Sequence, residues 1–377
     1  MHIGLNLLYI IPGENGGTQT YAESLIKALA ALGTDDEFTV FVSREGAALE
    51  LPKQGNFRKV ICPVKAVRRE VRYAYEQFVF PRLLRGFKLD VLHSLGYVCP
   101  LFAPCRSVVT IHDLNYLTPW HGMSRAKRLS LGWFVKQSAR RADAVVTVSE
   151  FSKQEIVSHL EISPAKITVT SEGPREPVSG PMDAWMDVAG RYQIEAPYVM
   201  AFGSVTDNKN LMRLVRAFAQ IQAEVPHTLL LVGRMASAAL QAETSALGIE
   251  SRVNVTGYVP DSAVMPLLAH ADLFVFPSLY EGFGLPVLEA QAAGTAVVCS
   301  SAASLPEVAG DGAEFFDPES VAEIGQVLLR CLRDPARRAV LADRGRRNVA
   351  RFSWAQTAAA TLACYRQVCA GTPRTAK

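Results

Sequence analysis

The chain has 377 residues, of which 49% are hydrophobic and 20% are charged, so it is a globular protein long enough for two domains of ordinary size. The formal net charge of +3 is small for this length and does not favour a nucleic-acid-binding protein. No apolar run approaches the roughly 18 residues that a membrane span requires.

The cysteines predict neither disulfides nor a metal site. All seven are scattered, and they form no Cys-x-x-Cys pair and no spaced cysteine-histidine set. Reduced and mostly buried thiols are typical of the cytosol. Met1 leads straight into a strand-like segment without a charged leader. We therefore expect a cytoplasmic protein, which could still bind the inner face of the membrane.

Strand-like segments alternate with helical patterns in the first half of the chain. Strands are predicted at 2–11, 38–42, 59–63, 90–93, 107–111 and 144–148. A glycine-rich loop at 12–17 follows the first strand, and apolar spacing predicts a helix from Thr18 to Leu32. This alternation predicts a parallel α/β sheet, which binds ligands at the carboxyl ends of its strands.

The best candidate for a domain linker is 173–181, which holds three prolines and two glycines. Beyond it, strands are predicted at 198–202, 228–232, 253–256, 273–276 and 296–299. The predicted domains are therefore an N-terminal sheet domain, a C-terminal sheet domain and a final helical segment, at 1–172, 182–353 and 354–377.

The stretch Glu281-Gly-Phe-Gly-Leu-Pro-Val-Leu-Glu289 follows an apolar strand and opens a helical pattern, with Pro286 expected at the first helical position. Gly282 and Gly284 allow the backbone to approach a ligand, and the amides after them form an anion-binding helix N-terminus. Two carboxylates flank this site, and the one that lies a turn into the helix suits the hydroxyls of a neutral polyol such as ribose. A sugar nucleotide would fit all of these features. The simpler alternative is a loop carboxylate and a dipole-favoured residue in a first helical turn.

This stretch resembles the signature of the retaining GT-B glycosyltransferases of glycosyltransferase family 4. Further segments resemble the family's pattern in the same order, namely Gly16-Gly17, Thr110 to Leu114, Ala142 to Ser149, Lys209-Asn210 and Gly257 to Pro260. The resemblance covers nearly the whole chain. It implies two Rossmann-like domains that face each other across a cleft, with the nucleotide sugar on the C-terminal domain and the acceptor on the N-terminal domain. It also implies that the last helix returns to the first domain.

The resemblance implies roles for individual residues. Glu289 would hold the ribose hydroxyls, whereas the catalytic candidates His112 and Glu281 would lie beside the donor sugar. The donor-binding residues would be Gly17, Ser204, Lys209, Tyr258, Gly282, Phe283, Gly284, Leu285 and Glu289. Gly16 and Asp113 would border the acceptor, and no metal ligand is implied.

Some of these residues have simpler explanations. A histidine at a strand end is often a hydrogen-bonded core residue, and we interpret His93 in this way. A lysine in a loop is often a surface residue. Lys209 also lacks the arginine that the family often supplies nearby, because Ser204 and Asn208 occupy those positions. Arg234 is a candidate substitute for that diphosphate ligand.

Basic and aromatic residues are concentrated at 65–88. The basic ones are Lys65, Arg68, Arg69, Arg72, Arg82, Arg85 and Lys88, and beside them are the aromatic residues Tyr73, Tyr75, Phe78 and Phe80. Such a run is usually a solvated helix face. Its aromatic content also suits an anionic membrane surface or a lipid-diphosphate acceptor.

The sequence thus predicts a retaining hexosyltransferase. Its donor would be a UDP-, GDP- or ADP-linked sugar, and its acceptor a glycan, a lipid-linked sugar or a small molecule in cell-surface polysaccharide or glycoconjugate synthesis. We expect no cofactor and no metal, because helix amides and Lys209 can carry the leaving-group charge. The alternatives are an epimerase or phosphorylase on the same fold, and a non-catalytic nucleotide-sugar-binding partner. Hydride transfer is disfavoured because no Gly-x-Gly-x-x-Gly opens either sheet.

Overall fold

The computed structural model describes residues 1–13, 16–119, 122–175, 182–204, 207–235 and 237–371, without the side chains of 182–184 and 237. The chain divides into two compact units. The first unit contains Met1–Leu117, Met123–Gly173 and the chain from Ser353 onward, and the second contains mainly Pro174–Phe352. Most of the predicted linker, 176–181, and the predicted helix end, 372–377, lie outside the described residues.

The first unit is built on a seven-stranded parallel sheet. Its strands are β1 (His2–Leu7), β2 (Glu37–Val42), β3 (Phe57–Ile61), β4 (Val91–Ser94), β5 (Arg106–Thr110), β6 (Ala144–Thr147) and β7 (Ile167–Val169), in the order β3-β2-β1-β4-β5-β6-β7. In the register of the central strands, Ile3 is paired with both Phe38 and Val91. The central strands are buried on both faces, as a parallel sheet covered by helices requires.

Helices cover this sheet. They are α1 (Gly16–Ala31), α2 (Arg69–Ala74), a π-helical turn (Tyr75–Val79), α3 (Phe80–Leu84), α4 (Arg125–Arg141) and α5 (Glu150–Leu160). Helix α1 forms because Tyr21, Leu25 and Leu29 recur at helical spacing, and all three side chains are buried.

The second unit has its own six-stranded parallel sheet. The strands are β8 (Tyr198–Phe202), β9 (Thr228–Val232), β10 (Val253–Gly257), β11 (Leu273–Phe276), β12 (Val297–Ser300) and β13 (Ala313–Phe316), in the order β10-β9-β8-β11-β12-β13. The order reverses direction between β8 and β11. Ligands bind at such switch points, outside the carboxyl ends of the strands.

The helices of the second unit follow the same alternation. They are α6 (Met182–Tyr192), α7 (Leu211–Ile221), α8 (Ser237–Ala246), α9 (Asp261–Ala269), α10 (Leu285–Ala292), α11 (Leu305–Ala309), α12 (Val321–Arg333) and α13 (Pro335–Val349). Helix α7 buries Leu214, Val215 and Phe218 against α12 and the sheet. The apolar stripe of a surface helix, at a spacing of three and four residues, produces this packing.

The last described helix, α14 (Trp354–Ala370), belongs to the first unit and packs against α1. Its N-terminus is capped by Ser353 Oγ, which accepts a hydrogen bond from Gln356 N at 3.2 Å. Further along, the Tyr365 hydroxyl lies 2.6 Å from His93 Nδ1, in the interior of the unit. A buried polar contact of this kind fixes the helix in one position on the sheet.

The α/β fold with two parallel sheets is confirmed, but several boundaries differ from expectation. Strand β1 ends at Leu7, earlier than predicted. The chain turns after Leu7 but stays largely buried, and an apolar run alone does not show where a strand ends. The edge strands β7 and β13 were not predicted. Pro286 is the second residue of α10, because Leu285 begins that helix. Within the described ranges, no helix combines the length and apolar character that crossing a bilayer demands.

Candidate active-site residues

The loop between β11 and α10 is held in one conformation by neighbouring side chains. Ser304 Oγ lies 2.9 Å from the carbonyl oxygen of Glu281 and 2.7 Å from that of Phe283. From the other side, Asn208 Nδ2 donates a hydrogen bond to the carbonyl oxygen of Tyr280 at 3.2 Å. The predicted donor-binding loop is therefore preorganised by contacts within the second unit.

Gly284 ends this loop in a conformation that favours glycine. Its φ of +113° lies in the left-handed region, and a Cβ at this position would lie 2.6 Å from Leu305 Cδ2. Leu285 and Pro286 then form the first turn of α10. The first amides of a helix have no partner inside the helix, so this turn is able to bind an anion.

Lys209 and Glu281 form an ion pair in the second unit, with Lys209 Nζ 2.6 Å from Glu281 Oε1. The same ammonium group lies 5.0 Å from the centre of the Phe276 ring, at the end of β11. The adjacent Asn210 holds the turn of Lys209 in place, because its side-chain amide donates to the carbonyl oxygens of Pro277 and Pro318. A cation is thus positioned beside the loop that leads into α10.

Glu289 is 5% exposed and lies on α10. Arg175 Nε is 3.1 Å from Glu289 Oε1, and Arg175 Nη1 is 2.9 Å from Asp261 Oδ1 at the start of α9. Burial lowers the pKa of Arg175, but the charges of Glu289 and Asp261 outweigh this and leave the pKa above its ordinary value. The carboxylate predicted to hold ribose is thus paired with an arginine that sequence analysis missed.

Tyr258 and Arg234 lie together at the end of β10. The Arg234 guanidinium carbon lies 5.2 Å from the centre of the Tyr258 ring, which is 57% exposed. A groove of about 870 Å³ beside them is lined by Arg234, Gln241, Thr244 and Gly257. Ser204, which follows β8, is half-buried. Arg234 is therefore engaged with an aromatic ring beside a groove large enough for a small ligand.

His112 follows β5 and is 6% exposed. Its Nε2 lies 3.0 Å from the carbonyl oxygen of Leu95, which can only accept, so this nitrogen carries a proton. Its Nδ1 faces the carboxyl group of Glu172, with Oε1 3.8 Å away. Burial raises the pKa of Glu172, and the contact with His112 works in the opposite direction. A buried histidine-carboxyl pair thus lies at the ligand-binding edge of the first sheet.

Aromatic rings restrict the position of the His112 ring. The Tyr21 ring meets it edge-on at 4.7 Å between centres, and the Tyr97 ring lies 5.6 Å away. The next residue, Asp113, is half-buried, and its Oδ1 accepts a hydrogen bond from Asn115 N at 3.0 Å. The local structure therefore fixes the orientation of His112 and uses Asp113 to form a turn.

Gly16 and Gly17 begin α1 and are exposed. Gly16 has a φ of +48°, where glycine is favoured. Gly17 lacks this constraint, and a Cβ added there would have no heavy atom of the described residues within 4 Å. The fold of the first unit therefore explains the glycine at position 16, whereas the backbone at position 17 does not require glycine.

His93 is fully buried in the first unit. Besides the contact with Tyr365, its Nε2 lies 2.8 Å from Thr110 Oγ1. Burial, with a smaller effect from the charge of His112, lowers the pKa of His93 to about 3. His93 is therefore neutral at ordinary pH and has a structural environment, in agreement with our interpretation of the sequence.

Sequence analysis missed Glu172 and Arg175, which contact two of the predicted site residues. Both lie at the edge of the proline- and glycine-rich segment, whose composition indicated only a linker. Their partners are far away in the sequence, so no local spacing could have revealed them. In the part of the chain that the structure describes, no cluster of three histidine, cysteine or acidic side chains is arranged to hold a metal.

Comparison with protein families decides the identity of the fold. Residues 15–173 match the profile described as Glycosyltransferase Family 4, and residues 191–348 match Glycosyl transferases group 1. The chain belongs to the GT-B glycosyltransferases of family 4. The N-terminal match includes His112 and Glu172, and the C-terminal match includes Lys209, Glu281 and Glu289.

Other proteins resemble this glycosyltransferase over nearly its whole length. The O-antigen chain mannosyltransferase B of Escherichia coli is 28% identical, and the alignment covers 93% of this chain and 96% of that protein. The structure of sucrose-phosphate synthase from Thermosynechococcus elongatus matches with a TM-score of 0.76 at 22% identity. The match covers 98% of this chain and 99% of the synthase chain. Anabaena HepE in complex with UDP and glucose has a TM-score of 0.75 at 18% identity, with 97% and 99% covered.

The predicted family, fold and enzyme class are confirmed. The protein is a hexosyltransferase, and it transfers a hexose from a nucleotide sugar to an acceptor. The individual site residues remain predictions, which the geometry of the two units now makes specific.

Proposed function

We propose that this glycosyltransferase transfers a hexose, with retention of the anomeric configuration, from a nucleoside diphosphate sugar to a hydroxyl group of a glycan or a lipid-linked sugar. We place this reaction in the cytoplasm, in the synthesis of a cell-surface polysaccharide or glycoconjugate. The observation that supports this most strongly is the Lys209–Glu281 ion pair beside the preorganised start of α10, which also bears Glu289.

The leaving diphosphate is stabilised by the start of α10. Amides of Phe283, Gly284 and Leu285 donate to its oxygens, and the Lys209 ammonium adds a positive charge. Ser304 and Asn208 hold the loop before the reaction begins, so little reorganisation is needed as charge develops. Preorganised electrostatic stabilisation of this type is usually the largest contribution to catalysis.

The two glutamates have separate roles. Glu289 accepts hydrogen bonds from the ribose hydroxyls, and the adjacent Arg175 is paired with its carboxylate. Glu281 lies on the loop before α10 and contacts the transferred sugar. In the first unit, His112 positions the reacting sugar through a hydrogen bond rather than by proton transfer. Gly17 approaches the diphosphate.

Further residues contribute to the donor and acceptor sites. Tyr258, Ser204 and Gly282 belong to the donor site. Gly16 and Asp113 border the acceptor. Arg234 supplies the positive charge that an arginine at the position of Ser204 would otherwise provide. Its contact with Tyr258, another residue of the donor site, supports this role.

The donor is tested by a thermal-shift panel of UDP, GDP, ADP and their hexose derivatives. We propose mannose as the transferred hexose, because the Escherichia coli relative is a mannosyltransferase. One nucleoside diphosphate should raise Tm selectively, by mass action. If none does, the proposal is wrong. Incubation with donor alone separates the alternatives, because an epimerase would convert the donor without an acceptor.

We propose that the reaction requires no metal, because α10 and Lys209 can together carry the charge of the leaving group. Transfer should continue at an unchanged rate in EDTA, with dialysed enzyme as the starting material. A loss of activity that Mg²⁺ or Mn²⁺ restores would contradict this mechanism.

Peripheral contact with an anionic membrane through residues 65–88 is also part of the proposal. Six of the seven basic residues predicted for this contact are exposed, namely Lys65, Arg68, Arg69, Arg82, Arg85 and Lys88. The seventh, Arg72, is buried, and so is the aromatic Phe80. Sedimentation with anionic vesicles should exceed that with neutral vesicles, and equal binding to both would contradict the contact.

A further inference from the structure

An aromatic groove of about 440 Å³ lies on the first unit, between α2 with its π-helical turn and α4. Its walls include Tyr73, Phe78, Phe102, Trp133 and Phe134. Trp133 and Phe134 meet edge-on at 5.0 Å between ring centres, and Tyr73 lies 5.1 Å from Phe134. The volume falls within the usual range for small-molecule sites.

The rings around this groove are unusually exposed. Phe78 is 69% exposed, Phe102 is 67% exposed and Trp133 is 55% exposed. Leu129, one helical turn before Trp133, is 73% exposed. Single exposed apolar residues are ordinary, but several around one concave surface indicate a binding site for an apolar ligand.

The surroundings of the groove are strongly basic. Helix α4 contains no acidic residue. Its basic residues are Arg125, Lys127, Arg128, Lys136, Arg140 and Arg141, of which Lys136 and Arg140 are paired with Glu161. Arg141 lies over the Phe102 ring, with its guanidinium carbon 4.9 Å from the ring centre. Across the groove, Arg68, Arg69 and Arg82 are exposed, while Glu70 is the acidic residue of the lining. An apolar surface inside a basic margin matches a hydrocarbon chain attached to phosphate.

One polar side chain of the lining, Gln77, is already satisfied by the protein. Gln77 Oε1 accepts a hydrogen bond from Leu101 N at 2.9 Å, and Gln77 Nε2 donates to the carbonyl oxygen of Cys99 at 3.1 Å. Gln77 therefore fixes one wall and does not select a polar ligand. Besides Gln77, the polar side chains of the lining are Glu70, Ser130 and Tyr73, and five aromatic rings form most of the walls, which favours a hydrocarbon chain over a sugar as the occupant.

The opposite face of the same helical segment reaches the carboxyl ends of the strands. Asn6 Nδ2, on β1, lies 3.4 Å from Glu76 Oε1 and 3.1 Å from Ser94 Oγ at the end of β4. Arg72 is paired with Glu76 at 4.0 Å, and in the described chain the buried atoms Arg72 Nε and Glu76 Oε2 have no hydrogen-bond partner. π-helical turns frequently occur at functional sites. One helical segment thus joins an apolar groove to polar groups at the ligand-binding edge of the sheet.

We propose that this groove binds the hydrocarbon chain of a lipid-linked acceptor, with the phosphate of that acceptor at the basic margin. The proposal rests on the proposed function, because it specifies the class of acceptor. The proposed lipid site therefore includes α4 and Phe102 as well as the basic segment 65–88. The link to the strand ends through Arg72 and Glu76 favours an acceptor over a general bilayer anchor.

The experiment uses dodecyl phosphate below its micellar concentration, with inorganic phosphate as the headgroup control. Intrinsic tryptophan fluorescence reports binding, because Trp133, one of the four tryptophans of the chain, lines the groove. Wild-type enzyme should show saturable binding of the amphiphile at one site and no response to inorganic phosphate. The double variant Phe78→Ser/Phe102→Ser should bind at least about tenfold more weakly, because it loses apolar contact area. Val340→Ser, which changes an exposed residue of the second unit, is the matched control.

Three results would overturn the proposal. They are an absence of saturable binding, equal binding by the double variant, and sedimentation with anionic vesicles without binding of monomeric dodecyl phosphate. The last result would make the surface a bilayer anchor. Nucleoside diphosphate affinity should be unchanged in the double variant, which shows that its donor site is intact. Failure of the nucleotide panel with retained dodecyl phosphate binding would contradict the proposed function and not the lipid-binding groove.

Discussion

Lys209 Nζ lies 2.6 Å from Glu281 Oε1, in the loop that leads into α10. Both side chains are partly buried, at 22% and 15% exposure, so water screens the pair incompletely. The carboxylate holds the ammonium near the amides of the first turn of α10. We infer that a diphosphate would compete with Glu281 for this ammonium, which separates the roles of the two residues experimentally.

Lys209→Met should weaken nucleoside diphosphate binding by roughly 10- to 100-fold, because it removes one charge-assisted contact of about 1.5–3 kcal/mol. Glu281→Gln should leave nucleotide affinity unchanged or higher, since it releases the lysine, yet it should lower turnover. Calorimetric titration and initial rates measure both effects, with the exposed Lys53→Met as control. An equal loss of affinity in both variants would show that our division of roles is wrong.

Arg175→Ala should destabilise the nucleotide-free enzyme by about 1–3 kcal/mol, because it removes the cation beside Glu289, a carboxylate that is 5% exposed. Bound nucleotide should then raise Tm more in this variant than in the wild type, since its ribose hydroxyls would replace Arg175 as the partner of Glu289. The double variant Arg175→Ala/Glu289→Gln should recover part of the lost stability. Strictly additive effects on the free energy of unfolding would show that the two residues are not coupled.

Gly17→Ala should preserve stability but reduce transfer. Among the residues that the structure describes, nothing lies within 4 Å of the added Cβ, and alanine favours a helix, so the described fold does not oppose the change. A bound diphosphate that approaches this backbone would meet the methyl group. Gly55→Ala is the matched control, because its added Cβ also meets nothing within 4 Å. Full activity in Gly17→Ala would remove Gly17 from the site.

The stability of the first unit should depend on pH through His93. Burial lowers its folded pKa to about 3, whereas an unfolded histidine titrates near 6.5. The stabilisation is therefore complete above about pH 6.5 and is lost as pH falls towards 3, by about 1.4 kcal/mol per pH unit. Urea unfolding between pH 6 and 4.5 should show a flatter pH dependence for His93→Gln than for wild type and for the exposed control His159→Gln. Identical slopes would contradict this assignment.

The interior of both sheets could be predicted because buried parallel strands are continuous apolar runs. The segment from Leu273 to Phe276 is completely buried and was recognised on that basis. Strands β7 and β13 lie at sheet edges, where burial is incomplete and the apolar signal is weaker. Their formation depends on pairing with a neighbouring strand, which local sequence does not encode.

The candidate donor loop could be recognised in the sequence because its chemistry is contained in one short segment, from Glu281 to Glu289. Arg175 could not, because its contact with Glu289 joins residues 114 positions apart. The segment at 65–88 was predicted only as a basic, aromatic surface. Burial of Arg72 depends on its pairing with Glu76 and on the π-helical turn, neither of which the pattern reveals.

The most direct test of the donor site is calorimetric titration of Glu289→Ala with the nucleoside diphosphate that the wild type binds. We expect an unchanged far-ultraviolet circular dichroism spectrum and a loss of affinity of at least roughly 100-fold, because the ribose loses its buried acceptor. Glu319→Ala, an exposed carboxylate of the same unit, should bind as the wild type does. Wild-type affinity and turnover in Glu289→Ala would contradict the placement of the donor at α10.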